Sequence, residues 1–195
     1  MLTEKSFDTG EIVINFAEGE AAGPPLVMLH GSTQNWQRFG EFIPTLEPSW
    51  HIYACDLRGH GKSGRATSGY RITDFVPDTI TFIERFIGQP TVLLGFSLGA
   101  LVTLGVAAQL PKLIRAIVLL EPGLMLRNSS IQSIAPYEWL SWVNETLTST
   151  RTIEEVVARC KARLPEDDEA EARRTAKMVH SLDPESVTCL LNDRI

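Results

Sequence analysis

The residues with the clearest capacity for chemistry are those of the pentapeptide GFSLG at positions 95–99, in which Ser97 stands between two glycines. The pentapeptide lies between an apolar run that favours a strand and a segment rich in small and aliphatic residues that favours a buried helix. In a tight strand-to-helix turn of this type, the serine backbone is strained and the hydroxyl is exposed. The N–H groups and the dipole of the helix N-terminus favour the negative charge that develops during acyl transfer. The pattern predicts that Ser97 is a nucleophile; a structural serine in a glycine-bordered turn is the alternative.

A second candidate element is the pair His30-Gly31, which directly follows the apolar residues 26–29. A glycine here allows the next backbone N–H, that of Ser32, to face the carboxyl edge of a parallel sheet, where open α/β sheets bind ligands. With the N–H of Leu98 it would form a two-donor oxyanion hole, in which each donor contributes about 3 kcal/mol to lowering the barrier. The side chains of His30 and Trp36 are candidates for lining the substrate pocket; for His30, a packed and hydrogen-bonded histidine is the alternative.

The elements that must hold these residues in place alternate between strands and helices. Strands are predicted for one alternating segment, 11–16, and for four mostly apolar segments, 26–29, 51–57, 91–95 and 116–120. Helices are predicted for 36–46, with a kink or an end at Pro44, for a segment around 76–87, and for 97–110. Apolar strands without alternation are buried on both faces, which indicates an α/β fold with a mostly parallel sheet flanked by helices.

The character of the chain changes after residue 124, and no further strand is predicted. Apolar residues at helical spacing between 153 and 164 follow Thr152 and Glu155, which have the spacing of a capping box. The acidic residues 167–169 precede another predicted helix at about 170–182, where they suit the positive end of the helix dipole. We therefore expect an α/β core over residues 1–124 and an all-helical segment over residues 125–195.

Composition and charge limit the classes of function. The 195 residues are 44% hydrophobic and 22% charged, as in an ordinary globular protein, and the formal net charge is −6. A chain this acidic is not expected to have nucleic acid or an anionic membrane as its main partner. Cys55, Cys160 and Cys189 form no paired framework, and the first ten residues lack an apolar signal region, so a cytoplasmic protein is expected. The sequence contains no metal-ligand cluster, so no cofactor is expected, and the oligomeric state stays open.

Residues 56–64 (DLRGHGKSG) contain two patterns that resemble nucleotide-binding motifs. The three glycines match G-x-G-x-x-G, but the following residues favour a turn rather than the helix that this fingerprint needs. Residues 61–63 resemble the end of a phosphate-binding loop, but the glycine required five residues before Gly61 is Asp56. We therefore do not expect nucleotide binding.

The segments 26–31, 56–64 and 95–100, in this order and context, resemble the α/β-hydrolase superfamily, in the branch with a serine nucleophile and a helical cap. The resemblance covers residues 11 to about 124. It implies that Ser97 is the nucleophile, that the N–H groups of Ser32 and Leu98 form the oxyanion hole, and that residues 125–195 correspond to the cap or lid. It also implies a carboxylesterase-like serine hydrolase acting on a small ester, lactone or similar activated carbonyl through an acyl-enzyme.

The acid and the base of the expected triad are the weakest part of the match. In this fold the order is Ser, then Asp or Glu, then His, and the strands seven and eight that carry the last two have no counterpart here, so we expect a chain truncated before them. Glu121, at the end of the strand 116–120, is the candidate acid, with a surface acid or a turn cap as alternatives. His180 is the sole histidine after Ser97 and lies in a predicted helix, where an exposed structural role is the alternative. Without a base the Ser97 hydroxyl is a weak nucleophile, so low activity is expected of this chain.

Two other classes of function stay open at this point. The first is a catalytically inactive binding protein that keeps the pocket, and the second is a C–C-bond hydrolase or perhydrolase of the same family. A separate chain that supplies the last two strands is a third possibility. Tyr137, Trp139 and Trp142 either line an apolar pocket or belong to a plain core.

Overall fold

The computed structural model describes residues 2–67, 69–122 and 135–192. By their internal contacts the residues fall into two compact units, Met1–Met125 and Leu126–Ile195. The boundary expected between residues 124 and 125 lies outside the described residues.

The first unit is built on a mostly parallel sheet, as the sequence predicts, and the sheet has six strands. Its strands are β1 (Thr3–Asp8), β2 (Val13–Glu18), β3 (Pro25–Leu29), β4 (His51–Cys55), β5 (Thr91–Phe96) and β6 (Ile114–Leu120). The order across the sheet is β1-β2-β4-β3-β5-β6. The pairs β1–β2 and β2–β4 are antiparallel, and the pairs β4–β3, β3–β5 and β5–β6 are parallel. The carboxyl ends of β3, β5 and β6 therefore meet at one edge of the sheet.

Helical segments cover both faces of this sheet. They are a 3₁₀ helix (Trp36–Phe39), α1 (Ile43–Leu46), α2 (Ile72–Phe82), which continues as a π-helical turn (Ile83–Ile87), and α3 (Leu98–Gln109). All five residues of β3 are buried, because its side chains alternate between two packed faces. Met28 packs with Phe39 and Ile43 on one face, and Leu29 lies with Phe75 of α2 on the other.

Three features of the first unit differ from the prediction. Strand β1 was not predicted, because its side chains are mostly exposed and it is held by backbone pairing with β2. The helix predicted for 36–46 is two short helices, and Pro44 lies in the first turn of α1, where its missing N–H costs nothing. Strand β6 was predicted to be buried on the basis of its apolar composition; among the described residues it is an edge strand that pairs with β5 alone, and Ile117, Val118 and Leu120 are about two-fifths exposed.

The second unit, where it is described, is helical: α4 (Ala135–Ser149), α5 (Ile153–Arg163), α6 (Glu169–His180) and α7 (Pro184–Asn192). Its core contains Val143, Cys160 and Val179, with Trp139 and Trp142 packed against it. The predicted capping box is confirmed, because Thr152 and Glu155 each accept a hydrogen bond from the other's backbone N–H. In neither unit does a described helix have the length and apolar character needed to cross a membrane.

Candidate active site

Ser97 occupies the single residue between the end of β5 and the start of α3. Its backbone angles are φ 49° and ψ −110°, a conformation that side-chain-bearing residues rarely adopt. The backbone N–H of Ser97 donates to the carbonyl of Leu120, the last residue of β6, at 2.9 Å. Among the described residues, the other non-glycine residues with positive φ are Thr33 and Glu121, which follow β3 and β6. Backbone strain in this part of the chain is therefore concentrated at one edge of the sheet, as is typical of functional sites.

The two glycines of the pentapeptide are required by close backbone packing. An added Cβ at Gly99 would overlap the carbonyl oxygen of Leu29 and lie 2.6 Å from that of His30, while one at Gly95 would lie 2.6 Å from Cα of Ala100. The Gly99 N–H also donates to the His30 carbonyl at 3.1 Å. These contacts hold the N-terminus of α3 directly against the end of β3. The spacing of the two glycines thus sets the turn that presents Ser97.

Two backbone N–H groups near this turn make no hydrogen bond with any described residue: those of Ser32 and Leu98. Leu98 is the first residue of α3, and N–H groups in a first helical turn have no acceptor within the helix. Ser32 follows Gly31, whose own N–H donates to Oε1 of Gln34 at 3.2 Å. Neither group has an acceptor among the described residues, and their role as an oxyanion hole stays a prediction.

A cavity of about 280 Å³ lies at the same edge of the sheet; Phe96, the neighbour of Ser97, lines it, whereas Ser97 itself does not. One wall is formed by Phe96, which precedes Ser97 in the chain, and another by Leu120, whose carbonyl binds the Ser97 N–H. The described residues that line it are Arg38, Phe39, Phe42, Phe96, Leu119, Leu120 and Glu121. The volume is close to the lower limit of the pockets that bind small molecules.

Glu121, the candidate acid, lines this cavity but is not joined to a histidine in the described part of the first unit. His30 and His60 are fully buried, and Nε2 of His51 bonds to Oε1 of Glu18 at 2.8 Å. His180 is the last residue of α6 in the second unit and is exposed there. The roles of Glu121 as acid and of His180 as base stay predictions.

The His30 side chain connects two loops instead of lining the cavity. Its Nδ1 lies 2.7 Å from the Gly31 carbonyl, and its Nε2 accepts a hydrogen bond from the Leu57 N–H at 3.0 Å. Since a carbonyl only accepts, Nδ1 carries the proton and the ring is neutral. Burial lowers the pKa of His30 to about 4. The structure therefore has His30 as a packed, hydrogen-bonded histidine, the alternative to a role in the pocket. Its partners lie in the loops that follow β3 and β4.

Trp36, the second pocket candidate, is also directed elsewhere. Its backbone N–H donates to Oδ1 of Asp56 at 2.7 Å, and its indole Nε1 donates to Oε1 of Glu4 at 2.9 Å. Arg38, Phe42 and Phe96 line the cavity and were not predicted to do so. The signal available for Phe96 was its place beside Ser97; the other two carry no local signal, because the cavity forms only when the 36–46 segment packs over the ends of β5 and β6.

The loop that resembles nucleotide-binding motifs has a structural role in this fold. The Asp56 carboxylate accepts hydrogen bonds from Nδ2 of Asn15 and from the backbone N–H groups of Trp36 and Lys62, at 2.7–2.9 Å. Burial raises the pKa of this carboxyl despite the three donors. The side chains of the loop are thus engaged with the chain itself.

We expect the free energy of unfolding to fall by about 3 kcal/mol, through His30 alone, as the pH is lowered from 6.5 to 4. In this range the unfolded chain binds a proton at His30, whereas the folded chain excludes it until pH about 4, so stability rises with pH. Urea unfolding of the wild type and of the His30→Gln variant between pH 4 and 7 measures this contribution.

The quantity to compare is the difference in the free energy of unfolding between the wild type and the His30→Gln variant. The buried carboxyls of Asp56 and Asp78 have raised pKa values and contribute with the opposite sign in the acid range, and this contribution is common to both proteins. Glutamine does not titrate, so the variant should lack the His30 component. A difference that stays constant from pH 4 to 6.5 would show that His30 is not held neutral.

Residues 24–153, about two-thirds of the chain, match the family described as the alpha/beta hydrolase fold. With the sheet order and the strained serine at the end of β5, this assigns a class: the chain belongs to the alpha/beta hydrolase fold family. The resemblance inferred from the three sequence segments is therefore confirmed.

Among curated relatives, a 2-(acetamidomethylene)succinate hydrolase of Mesorhizobium japonicum is 32% identical over 114 residues, which cover 58% of this chain and 41% of that protein. The solved structure of an E-2-(acetamidomethylene)succinate hydrolase has a TM-score of 0.71 at 23% identity and covers 100% of this chain and 75% of that one. The structure of an N-acyl homoserine lactonase has a TM-score of 0.74 at 20% identity and covers 98% of this chain and 70% of that one. The chain spans about two-fifths of the length of the curated relative, and the two structures establish similarity of fold.

Proposed function

We propose that this chain contains the nucleophile and the oxyanion-binding part of a serine hydrolase that acts on a small ester, lactone or similar activated carbonyl. The observation that carries the proposal is the strained backbone of Ser97, φ 49°, at the N-terminus of α3. Two features support it: the backbone N–H groups of Ser32 and Leu98, which have no acceptor among the described residues, and the cavity of about 280 Å³ lined by Phe96, the neighbour of the serine. The partner is a small-molecule substrate.

In the proposed reaction, Oγ of Ser97 forms a bond to the carbonyl carbon, and the carbonyl oxygen becomes an oxyanion that accepts hydrogen bonds from the two N–H groups. The leaving group departs with a proton, which gives an acyl-enzyme, and water then hydrolyses the acyl group and restores the serine. The general base is not among the described histidines of the first unit, which are buried or bonded elsewhere. In a subtilisin-type enzyme without its triad, the oxyanion hole and substrate binding together leave a residual rate of about 10³–10⁴ over water.

Two relatives are named for hydrolysis of a substituted succinate and of a homoserine lactone, and we propose by analogy that the bond cleaved here is an activated acyl bond. C–C-bond hydrolysis and perhydrolysis would use the same serine and donors. One observation favours an inactive binding protein as a second candidate: no described histidine lines the cavity.

A fluorophosphonate that reacts with activated serines tests the proposal. Because a serine without a general base is a weak nucleophile, labelling should be slow; after long incubation, intact mass and peptide mapping of the wild type should locate one phosphonyl group on Ser97, and the Ser97→Ala variant should show none. Ser6→Ala, an exposed serine on β1, is the matched control and should react at the wild-type rate.

Two results would contradict the proposal. Labelling that persists in Ser97→Ala would assign the reactivity to another residue. A folded wild type that does not react at all would favour the inactive binding protein.

We also propose a cytoplasmic location, on the basis of the cysteines. Cys55 and Cys160 are buried and form no disulfide with any described residue. Free thiols are typical of reducing compartments, where disulfides are rare.

A further inference from the structure

One residue of the cavity has a charge that the proposed chemistry does not use. Arg38, in the 3₁₀ helix that follows β3, lies with its guanidinium carbon 5.0 Å from the centroid of the Phe96 ring. The Phe96 ring also packs against Gly31, since a Cβ added there would lie 2.9 Å from Cδ1 of Phe96. The ring thus lies between Arg38 and the loop that holds the candidate oxyanion donor, and it is adjacent in sequence to Ser97.

The Arg38 guanidinium makes no ion pair and no hydrogen bond with any described residue. The buried arginine of this unit, Arg58, is in contrast paired with Asp78 at 2.7 Å. Most of the surfaces around Arg38 in the cavity are apolar, from Phe39, Phe42 and two leucines. A guanidinium stacked on an aromatic face keeps its N–H groups directed outward, in a planar arrangement that matches a carboxylate.

Among the described residues that line this cavity, Glu121 is the one acidic side chain, and it is not within ion-pair distance of Arg38. A bound anion would be repelled by Glu121 and attracted by Arg38, so the cavity favours an anionic group on the side formed by the 36–46 segment. A neutral substrate would gain no charge–charge attraction from the guanidinium.

We propose that Arg38 determines specificity, by binding a carboxylate carried by the acyl part of the substrate while the ester or lactone carbonyl lies at Ser97. The preferred substrates are then monoesters or related derivatives of dicarboxylic acids. This inference rests on the proposed function, because it assigns the substrate class of the same site.

The kinetic test compares two esters that differ in one charge: mono-4-nitrophenyl adipate and methyl 4-nitrophenyl adipate. The release of 4-nitrophenolate measures the rate constant for acylation of Ser97. The anionic ester should acylate the wild type faster than the neutral one. In the Arg38→Gln variant the ratio of the two rate constants should fall about tenfold, as expected for loss of one charge-assisted hydrogen-bonded pair.

Two variants control for trivial effects of charge. Arg38→Lys keeps the charge but loses the planar, paired N–H groups, and its ratio should be intermediate. Arg115→Gln removes an exposed arginine on β6 that is not part of the cavity, and its ratio should equal that of the wild type. A fall in the ratio for Arg115→Gln equal to that for Arg38→Gln would overturn the inference, because it would assign the effect to net charge.

A binding measurement separates this inference from the proposed function. Calorimetric titration of the Ser97→Ala variant with monomethyl adipate requires no reaction, and an added Arg38→Gln substitution should weaken binding about tenfold. Dimethyl adipate, the neutral analogue, should bind both proteins equally. If the neutral ester acylates Ser97 but Arg38→Gln changes neither the kinetic ratio nor the binding, the inference fails and the proposed function stands. If the anion binds through Arg38 but Ser97 reacts with no ester or phosphonate, the proposed function fails and the carboxylate site stands.

Discussion

Gly99→Ala is expected to destabilise the first unit by about 4 kcal/mol or more, which is comparable to the whole stability of many domains. The new Cβ would overlap the carbonyl oxygen of Leu29 and lie 2.6 Å from that of His30, and both are backbone atoms that cannot rotate away. Relief requires α3 to move away from β3, which breaks the hydrogen bond from the Gly99 N–H to the His30 carbonyl. Urea unfolding followed by far-UV circular dichroism measures the loss.

Gly19→Ala is the matched control for this substitution. A Cβ at Gly19, after β2, would meet Cβ of Ile52 at 3.5 Å, an ordinary van der Waals distance, and its φ is not in the left-handed region. The stability of this variant should stay within about 1 kcal/mol of the wild type. If Gly99→Ala were as stable as Gly19→Ala, the close packing of α3 on β3 would be incorrect, and with it the position of Ser97.

Arg58→Met is expected to cost about 3–5 kcal/mol, because it leaves a buried carboxylate without its cation. The Arg58 and Asp78 side chains are 2% and 6% exposed. Nε and Nη2 of Arg58 donate to the two carboxylate oxygens of Asp78 at 2.7 and 2.9 Å, and Nη1 donates to the Gly69 carbonyl at 2.9 Å. The pair thus ties the loop after β4 to α2. Chemical unfolding of the variant at neutral pH measures the loss.

The double variant Arg58→Met, Asp78→Leu separates the cost of an unpaired charge from the net contribution of the pair. Replacing a buried pair by apolar residues of similar volume is often neutral or stabilising, so the double variant should recover most of the loss. A double variant as unstable as Arg58→Met would instead assign the effect to other contacts of the arginine, such as its bond to Gly69.

These two predictions concern the scaffold, yet they bear on the proposed chemistry. The position of Ser97 depends on α3 lying against β3, and the loop after β4 holds His30 through the Leu57 N–H. Loss of either contact is expected to displace the loop and the helix end that carry the candidate oxyanion donors. Functional assays of variants in these regions therefore need a parallel measurement of stability.

Several parts of the fold were predictable because their causes are local. Unbroken apolar runs at β3 and β5 indicate strands that are covered on both faces, and the structure has them at the centre of the sheet. The glycine–serine–glycine spacing predicts the turn between β5 and α3. Thr152 and Glu155 mark the start of α5 through hydrogen bonds that span three residues. In each case the deciding interaction lies within a few residues of the pattern.

Other features followed from pairing and packing between distant segments. Strand β1 has mostly exposed side chains, several of them charged. It is held by backbone pairing with β2, and a pattern of side chains does not indicate such pairing. The exposure of β6 depends on how many neighbours that strand has, rather than on its apolar composition. The structural role of the His30 ring was decided by its hydrogen bond with the Leu57 N–H, which lies in another loop.

By itself the sequence determined the class of fold, the turn at Ser97 and the helical character of the second unit. Burial periodicity, glycine sterics and helix capping each depend on residues that are close together in the chain. The tertiary structure decided the surroundings of the serine. The cavity walls come from the 3₁₀ helix after β3, from the residue before Ser97 and from the end of β6. Only the packing of these segments at one sheet edge brings Arg38 onto Phe96, since contacts between residues far apart in the chain leave no periodic pattern in it.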